Sequence, residues 1–381
     1  MAVLQESQVH IARQIMAIRP ISELYVPYIQ LVLDTLVENL KAAAKSMIPG
    51  IAREDVLQSL FPVPPVSEQK RIVQKVSELS PCLEQYAVAD TKLLSLNAAF
   101  PEALKKSILQ EAVQGKLVPQ DPSDEPAEAL LERIRAEKQR LIKEGKIKKD
   151  KHESVIFRRD NTPYEKIGDE VRSLVDEVPF DIPDSWEWVR VRNCTELFNG
   201  RAFKPSDWTV MGLPIVRIQN LNDEKAPFNY YDKSVEEDVH LYGGEFLFAW
   251  SGTPGTSFGA HIWRNQEAVL NQHIFKLLFD ETALFKPYYM YALNQRVGSL
   301  IKVAHGSAGL QHVTRGVFES TLIPLPPFAE QMRIVEKLNV LFPIVDHYSS
   351  AYNNLNNLQS AFPEALKKSI LQEAVQGKLV N

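Results

Sequence analysis

The sequence predicts an α+β fold, with one complete mixed α/β domain and two long helices from an internal repeat that form an antiparallel coiled coil. Three observations carry this expectation. Residues 100–118 and 362–380 both read FPEALKKSILQEAVQGKLV, at an offset of 262 residues. A heptad pattern of apolar residues precedes each copy, as a helical seam requires. Between the copies lie short alternating runs separated by Gly- and Pro-rich turns, the pattern of strands and their connections.

The repeat extends upstream of the identical blocks. The same offset aligns VPPVSEQKRIVQKV with LPPFAEQMRIVEKL, so that Gln69 faces Gln331, Arg71 faces Arg333 and Ile72 faces Ile334. Arg53 against Arg315 and Leu60 against Leu322 continue it weakly, and Pro27-Tyr28 resembles Pro287-Tyr288 after a small shift in register. Such self-similarity marks a structural unit used twice. The blocks are identical while the stretches just before them have diverged. A shared constraint accounts for this, with both copies presenting one surface to two copies of one partner. Gene conversion over a short tract gives the same identity.

The first seam runs through Ile72, Val76, Leu79, Leu83, Tyr86, Leu93 and Phe100, with Asp90 falling on it. The second runs through Ile334, Leu338, Leu341, Val345, Tyr348, Tyr352 and Leu355 to Phe362. At ~1.5 Å per residue, a helix from each Glu-Gln pair to the residue before Phe100 or Phe362 spans about 50 Å. Pro101 and Pro363 are expected to stop or redirect the chain, and Pro81 and Pro343 to kink the long helices. A short helix then runs to Gly115 or Gly377, each suited to a C-terminal cap.

Residues 119–126 (PQDPSDEP) read as a loop, and 127–144 as a charged helix with Leu130, Leu131, Ile134 and Leu141 on one side. Residues 146–151 (KIKKDK) are basic, a solvated helix end or an approach to phosphate. Residues 152–181 look irregular. From Ile182 the texture changes. Residues 186–191, 214–218 and 245–249 read as strands, residues 286–297 and 315–321 as helices, and residues 251–259 (SGTPGTSFG) as turns.

Length and composition bound the rest. The chain has 381 residues, enough for two or three domains. It shows no apolar run of about 18 residues, and its first twenty residues resemble neither a signal nor a transit peptide. Cys82 and Cys194 fit no zinc spacing, so a reduced cytoplasmic protein is expected. The net charge of −5 argues mildly against nucleic acid, because phosphate contacts need local Lys and Arg. No phosphate-cradling loop ending in Lys-Ser or Lys-Thr occurs. Pro326-Pro327-Phe328 resembles part of the amino-methyltransferase tetrapeptide, but Leu325 cannot accept a hydrogen bond from a target amino group. His240, His261, His273, His305 and His312 show no metal spacing. No catalytic residue and no metal site is therefore expected.

The middle domain does hold candidate DNA readers: Arg201, Phe203 and Lys204 in one loop; Arg217, Gln219 and Asn220 at a strand end; Ser251, Thr253 and Thr256 in the glycine-rich turn; Asn271 and Gln272; and His305, Ser307 and Gln311 in HGSAGLQH. Arg pairs bidentately with guanine, and Asn or Gln with adenine. Each loop alone is more often structural than functional, and the set carries the signal.

PVPPVSEQKRIVQKV, PLPPFAEQMRIVEKL, the two SILQEAVQGKLV blocks and DIPDSWEWVRV together resemble the specificity subunits of type I restriction-modification systems. The resemblance covers nearly the whole chain. It implies target-recognition domains separated by two antiparallel helices, with methyltransferase subunits docked on the repeated regions. The expected docking residues are Phe100, Leu104, Lys105, Ile108 and Leu109, with Phe362, Leu366, Lys367, Ile370 and Leu371. It implies no cofactor on this chain, S-adenosylmethionine on two methyltransferase subunits, ATP and Mg on restriction subunits, and double-stranded DNA as ligand. The expected division is a remnant of a first recognition domain (1–60), a helical repeat (61–118), a charged helix and linker (119–182), a complete recognition domain (183–322) and a second helical repeat (323–381). The first domain lacks a counterpart of the strands in residues 186–250, so one functional recognition domain is expected. Two chains pairing as a self-dimer would then read a symmetric interrupted site. The competing reading is a truncated, DNA-silent scaffold that binds or sequesters methyltransferase subunits.

Overall fold

The computed structural model describes residues 10–11, 15–20, 23–43, 51, 53–145, 154–160, 162–223, 225–252, 258–264, 266–307, 310–359 and 361–380. The chain divides into two compact units: Met1–Pro101 with Asp346–Asn381, and Glu102–Val345. Among the described residues no helix is long and apolar enough to cross a membrane.

In the first unit a helix at Val26–Ala43 packs beside the start of the first long helix, Val66–Val113, and the C-terminal helix, Phe362–Val375. Tyr28, Leu31, Val32, Ile72 and Ala374 form its core, flanked by Val73, Val76, Leu371, Leu379 and Val380. The Tyr28 hydroxyl donates to the Pro62 carbonyl at 3.3 Å. Gln69, fully buried, accepts from the Tyr25 N–H at 2.9 Å and donates to the Pro64 carbonyl at 2.8 Å.

The second unit repeats this arrangement. The helix Lys286–Lys302 and the second long helix, Phe328–Gln359, supply Tyr288, Ala292, Ile334, Val335 and Leu338. Ala112, Ile108, Leu109, Leu117 and Val118 pack against them. Tyr288 donates to the Pro324 carbonyl at 3.1 Å. Gln331, fully buried, accepts from the Phe285 N–H at 2.7 Å and donates to the Pro326 carbonyl at 3.0 Å. The glutamine of each Glu-Gln pair thus satisfies one backbone donor and at least one backbone acceptor that burial would otherwise leave unpaired, Gln331 donating to the Ala283 carbonyl as well, at 2.9 Å. Each identical block packs against the helix start of the other copy, so the blocks are constrained from within the chain.

The long helices run antiparallel in both units. Tyr86 meets Phe362 and Phe100 meets Tyr348, with ring centroids 6.1 and 5.7 Å apart. In the second unit the Lys105 Nζ lies 5.9 Å from the centre of the Phe342 ring. The shielded stripe departs from the expected seam. Ile72, Val76, Leu79 and Leu83 turn inward and Asp90 is half-buried, but Leu94 and Asn97 replace Leu93 and Phe100, which are 56% and 46% exposed. On the second helix Ser349 and Asn356 replace Tyr348 and Leu355. The positions 83, 87, 90, 94, 97, 101 and 104 alternate steps of four and three, which keeps one face turned to the partner; steps of seven from Tyr86 do not follow it.

Two further expectations are corrected. The first long helix continues through Pro101 as well as Pro81, with Pro101 buried. The identical second block instead begins a separate helix, with Pro363 in its first turn. Residues 152–181 are not irregular: they hold a three-stranded antiparallel sheet of Ser154–Arg159, Thr162–Ile167 and Glu170–Ser173. Short polar strands turning at Asp160 and Gly168, both with positive φ, gave too weak an alternation to read.

The helix Ala127–Lys143 buries Ala127, Leu130, Leu131 and Ile134. Their core is shared by an antiparallel sheet ordered Gly259–Ile262, Phe246–Ala249, Ile274–Leu278 and Glu196–Asn199. A second four-stranded sheet is ordered Asn229–Tyr231, Leu213–Val216, Ala268–Leu270 and His240–Leu241, its central pair parallel. A strand pair of Glu187–Arg190 with Leu322–Leu325 leads into the second long helix. Glu165, fully buried, joins the hairpin sheet to this pair through Arg190, with Oε1 to Nε at 2.5 Å.

Candidate nucleic-acid interface

Three segments meet where the central parallel strands of the second sheet end. Arg201 bridges Asn271; its N–H donates to the Leu270 carbonyl and its carbonyl accepts from the Gln272 N–H, both at 2.9 Å. The Asn271 N–H donates to the Val216 carbonyl at 3.1 Å, which fixes the third segment. Gly200 makes this convergence possible: a Cβ there would stand 2.1 Å from the Asn271 carbonyl oxygen. The result is a cleft lined by Phe203, Trp208, Ile215, Arg217, Gln219, Asn271, Gln272 and His273.

The cations at this cleft are braced by aromatic rings. Arg201 lies 5.3 Å from the centre of the Tyr231 ring and 5.7 Å from that of Phe203, and Arg217 lies 5.8 Å from that of Trp208. Cation–π contacts hold a guanidinium in place while its donors stay available. Among the described residues no carboxylate pairs with Arg201, Lys204 or Arg217, whereas Arg133, Arg140, Arg172, Arg190 and Arg333 all have acidic partners. Local positive charge therefore exists on a chain whose net charge is negative.

Beside the cleft, Trp250, His273 and His312 cluster, with ring centroids 5.5 to 6.4 Å apart. Burial, then repulsion from the neighbouring His312 and Arg217, lowers the His273 pKa from the ordinary histidine value. The neutral imidazole this favours keeps one acceptor nitrogen.

The structure separates the expected readers. Phe203, Arg217, Gln219, Asn271 and Gln272 line the cleft, Arg201 pairs with Asn271 beside it, and Lys204 follows Phe203 in the chain. Asn220 does not take part: it is buried, its amide donates to the Ala226 and Pro227 carbonyls, and its oxygen accepts from the Arg217 N–H at 3.1 Å. Ser251 is buried as well, hydrogen-bonded to His312 at 2.7 Å. Thr253 and Thr256, the side chains of His305, Ser307 and Gln311, and the basic run 146–151 lie outside the described residues. Trp208 and Tyr231 were missed; a tryptophan in a turn beside a cationic loop was the available signal for the first.

Of the expected docking residues, Ile108, Leu109 and Leu371 pack into the two helical cores. Leu104, Lys105, Leu366 and Ile370 are half-buried, and Phe100, Phe362 and Lys367 are exposed.

Residues 183–347 match the model of the type I restriction modification DNA specificity domain. The chain therefore contains a segment similar to that domain. It is 29% identical over 370 residues to the type I restriction enzyme EcoAI specificity subunit of Escherichia coli, covering 80% of this chain and 57% of the relative. It is 29% identical over 332 residues to the EcoEI specificity subunit of the same organism, covering 73% and 51%. The chain thus spans between half and three fifths of these relatives' length. An HsdS subunit from Thermoanaerobacter tengcongensis aligns over 92% of this chain and 70% of its own, at 18% identity and a TM-score of 0.47.

Proposed function

We propose that this chain binds a specific double-stranded DNA site within a type I restriction-modification complex and carries methyltransferase subunits to it. The supporting observation is the cleft itself. Two ring-braced arginines and three side-chain amides, those of Gln219, Asn271 and Gln272, converge in the matched specificity domain. Arginines placed in this way hold phosphates or guanine edges, and the amides read adenine edges. The chain contributes recognition and no chemistry. Methyltransferase subunits bring S-adenosylmethionine, and restriction subunits bring ATP and Mg. Exposed Phe100 and Phe362, on the identical blocks, offer equivalent contacts to two methyltransferase subunits.

Co-expression with a methyltransferase subunit of such a system, followed by methylome mapping, tests the proposal. One methylated motif is expected in the wild type. R217A should weaken binding and lower its salt dependence, whereas Q272A should relax the motif at one position, at a cost of about 1–3 kcal/mol in discrimination. A methyltransferase that co-purifies with the chain yet modifies no motif would leave only the scaffold reading.

A further inference from the structure

Residues 208–212 form a tight loop that leads into the strand Leu213–Val216 of the matched specificity domain. The loop turns its apolar side chains outward. Val210 is 93% exposed and Met211 71%, and Trp208 beside them is partly exposed. Among the described residues no large apolar side chain is more exposed than Val210. Apolar residues scattered singly over a surface need no explanation, but three within four positions form a patch.

The patch is held in place by its own backbone. The Thr209 N–H donates to the Tyr230 carbonyl at 3.0 Å, and the Thr209 hydroxyl donates to the Met211 carbonyl at 2.7 Å. Gly212 has φ 124°, and a Cβ there would stand 2.3 Å from the Tyr231 carbonyl oxygen. Only glycine lets the loop close against the neighbouring strand at this point. Val210 and Met211 therefore project from a turn whose two ends are fixed.

The position of the tip decides what it can touch. Trp208 lines the cleft, with the Arg217 guanidinium against its ring. Consecutive Cα atoms are about 3.8 Å apart, so the Val210 backbone lies within about 7.6 Å of that of Trp208. The tip thus stands at the rim of the cleft that holds the amides of Gln219, Asn271 and Gln272. A wholly apolar partner would cover Arg217 without a counter-charge, which is unfavourable. DNA brings phosphate to the arginine and an apolar group to the tip. In the major groove an A·T pair offers adenine N6 and N7 to an amide, and the 5-methyl group of thymine is the apolar feature among the base edges there.

We infer, on the reading that this cleft binds double-stranded DNA, that Val210 and Met211 recognise the 5-methyl group of a thymine in the major groove, beside the bases held by the cleft amides. Val210 is branched at Cβ and presents two methyl groups on a stiff side chain. Met211 is flexible and fills the space around them. Because the turn is already ordered, little conformational entropy is lost when the contact forms.

The test uses the full chain with its methyltransferase subunit and a duplex library with a random centre, from which repeated rounds of binding select the preferred site. That site is then made with uracil in place of thymine, one position at a time. Uracil keeps thymine's pairing and lacks only the 5-methyl group. At one or two adjacent positions the wild type should bind the uracil duplex about three- to tenfold more weakly, the effect of burying one methyl group. The double variant V210S/M211S should bind the thymine duplex about as weakly as the uracil one, whereas M211L should keep the preference. A selected site without thymine, thymine and uracil bound alike at every position, or a preference that survives V210S/M211S would overturn the inference while the selected site still upheld DNA recognition. A 2-aminopurine beside the site that brightens on binding, with thymine and uracil bound alike, would show that the tip wedges between base pairs instead. Selection of no site at all would overturn the DNA reading and this inference with it.

Discussion

Glu165 sits at no exposed surface, yet it carries charge. Burial raises its pKa, but hydrogen bonds from Arg190, Ser154 and Arg172 outweigh this and hold it at about 2. Removing it leaves Arg190 buried with the Ser320 carbonyl and, as its one acidic partner among the described residues, the partly exposed Glu177 at 2.8 Å. E165A should therefore lower stability by about 3–5 kcal/mol, the cost of breaking a buried pair on one side, read from the urea midpoint. The pH dependence has a definite sign. An unfolded carboxyl titrates near 4.5, so between that value and 2 the unfolded chain binds more protons than the folded one. Glu165's contribution is complete above this window and is lost as pH falls through it. Over this window the midpoint of the Glu165→Gln variant should change less than that of the wild type; equal slopes would show that the pair is not coupled to folding. Gly200 makes a different kind of demand. G200A should misplace Arg201 against Asn271 and weaken DNA binding even where the protein still folds, which circular dichroism and a gel shift separate.

At the scale of elements, one sequence takes two forms. Pro101 lies inside a continuous helix and Pro363 in the first turn of another. Proline in a helix interior removes a hydrogen bond to the residue four back, here Asn97, whereas in a first turn the missing N–H has no intrahelical partner anyway. P101A should raise stability by about 1–3 kcal/mol, less whatever packing the ring loses, and P363A should change it by under about 0.5 kcal/mol. Equal effects would mean that the two blocks fold alike at this point. Here the sequence was legible in kind but not in detail. Heptads and the repeat disclosed both long helices, because apolar spacing is local information. The inward turn of Leu94 and Asn97, and the uninterrupted helix at Pro101, depend on what packs alongside, which spacing does not contain. The same limit separated Arg217 from Asn220: both are polar residues at one strand end, and only the fold turns one outward and the other in. The three strands after Ser154 were missed because half-exposed polar hairpins carry little alternation.

For the molecule as a whole, the repeat builds one core twice, and each block completes the core begun by the other copy. Ala112 rests on Ile334 and Tyr288, Ala374 on Ile72 and Tyr28, in clusters that share no residue. Both alanines are almost completely buried, so A112L and A374L should each overpack one core at a cost of about 1–3 kcal/mol. The damage should be local. Hydrogen exchange should quicken at Lys286–Lys302 in the first variant and at Val26–Ala43 in the second, because each helix packs in only one of the two clusters. With no shared partners the double variant should show the sum of the two losses, within about 0.5 kcal/mol. A shortfall or excess well beyond that would mean that strain in one core reaches the other. An identical block at both sites would then keep the two cores matched to each other as well as to their own helices.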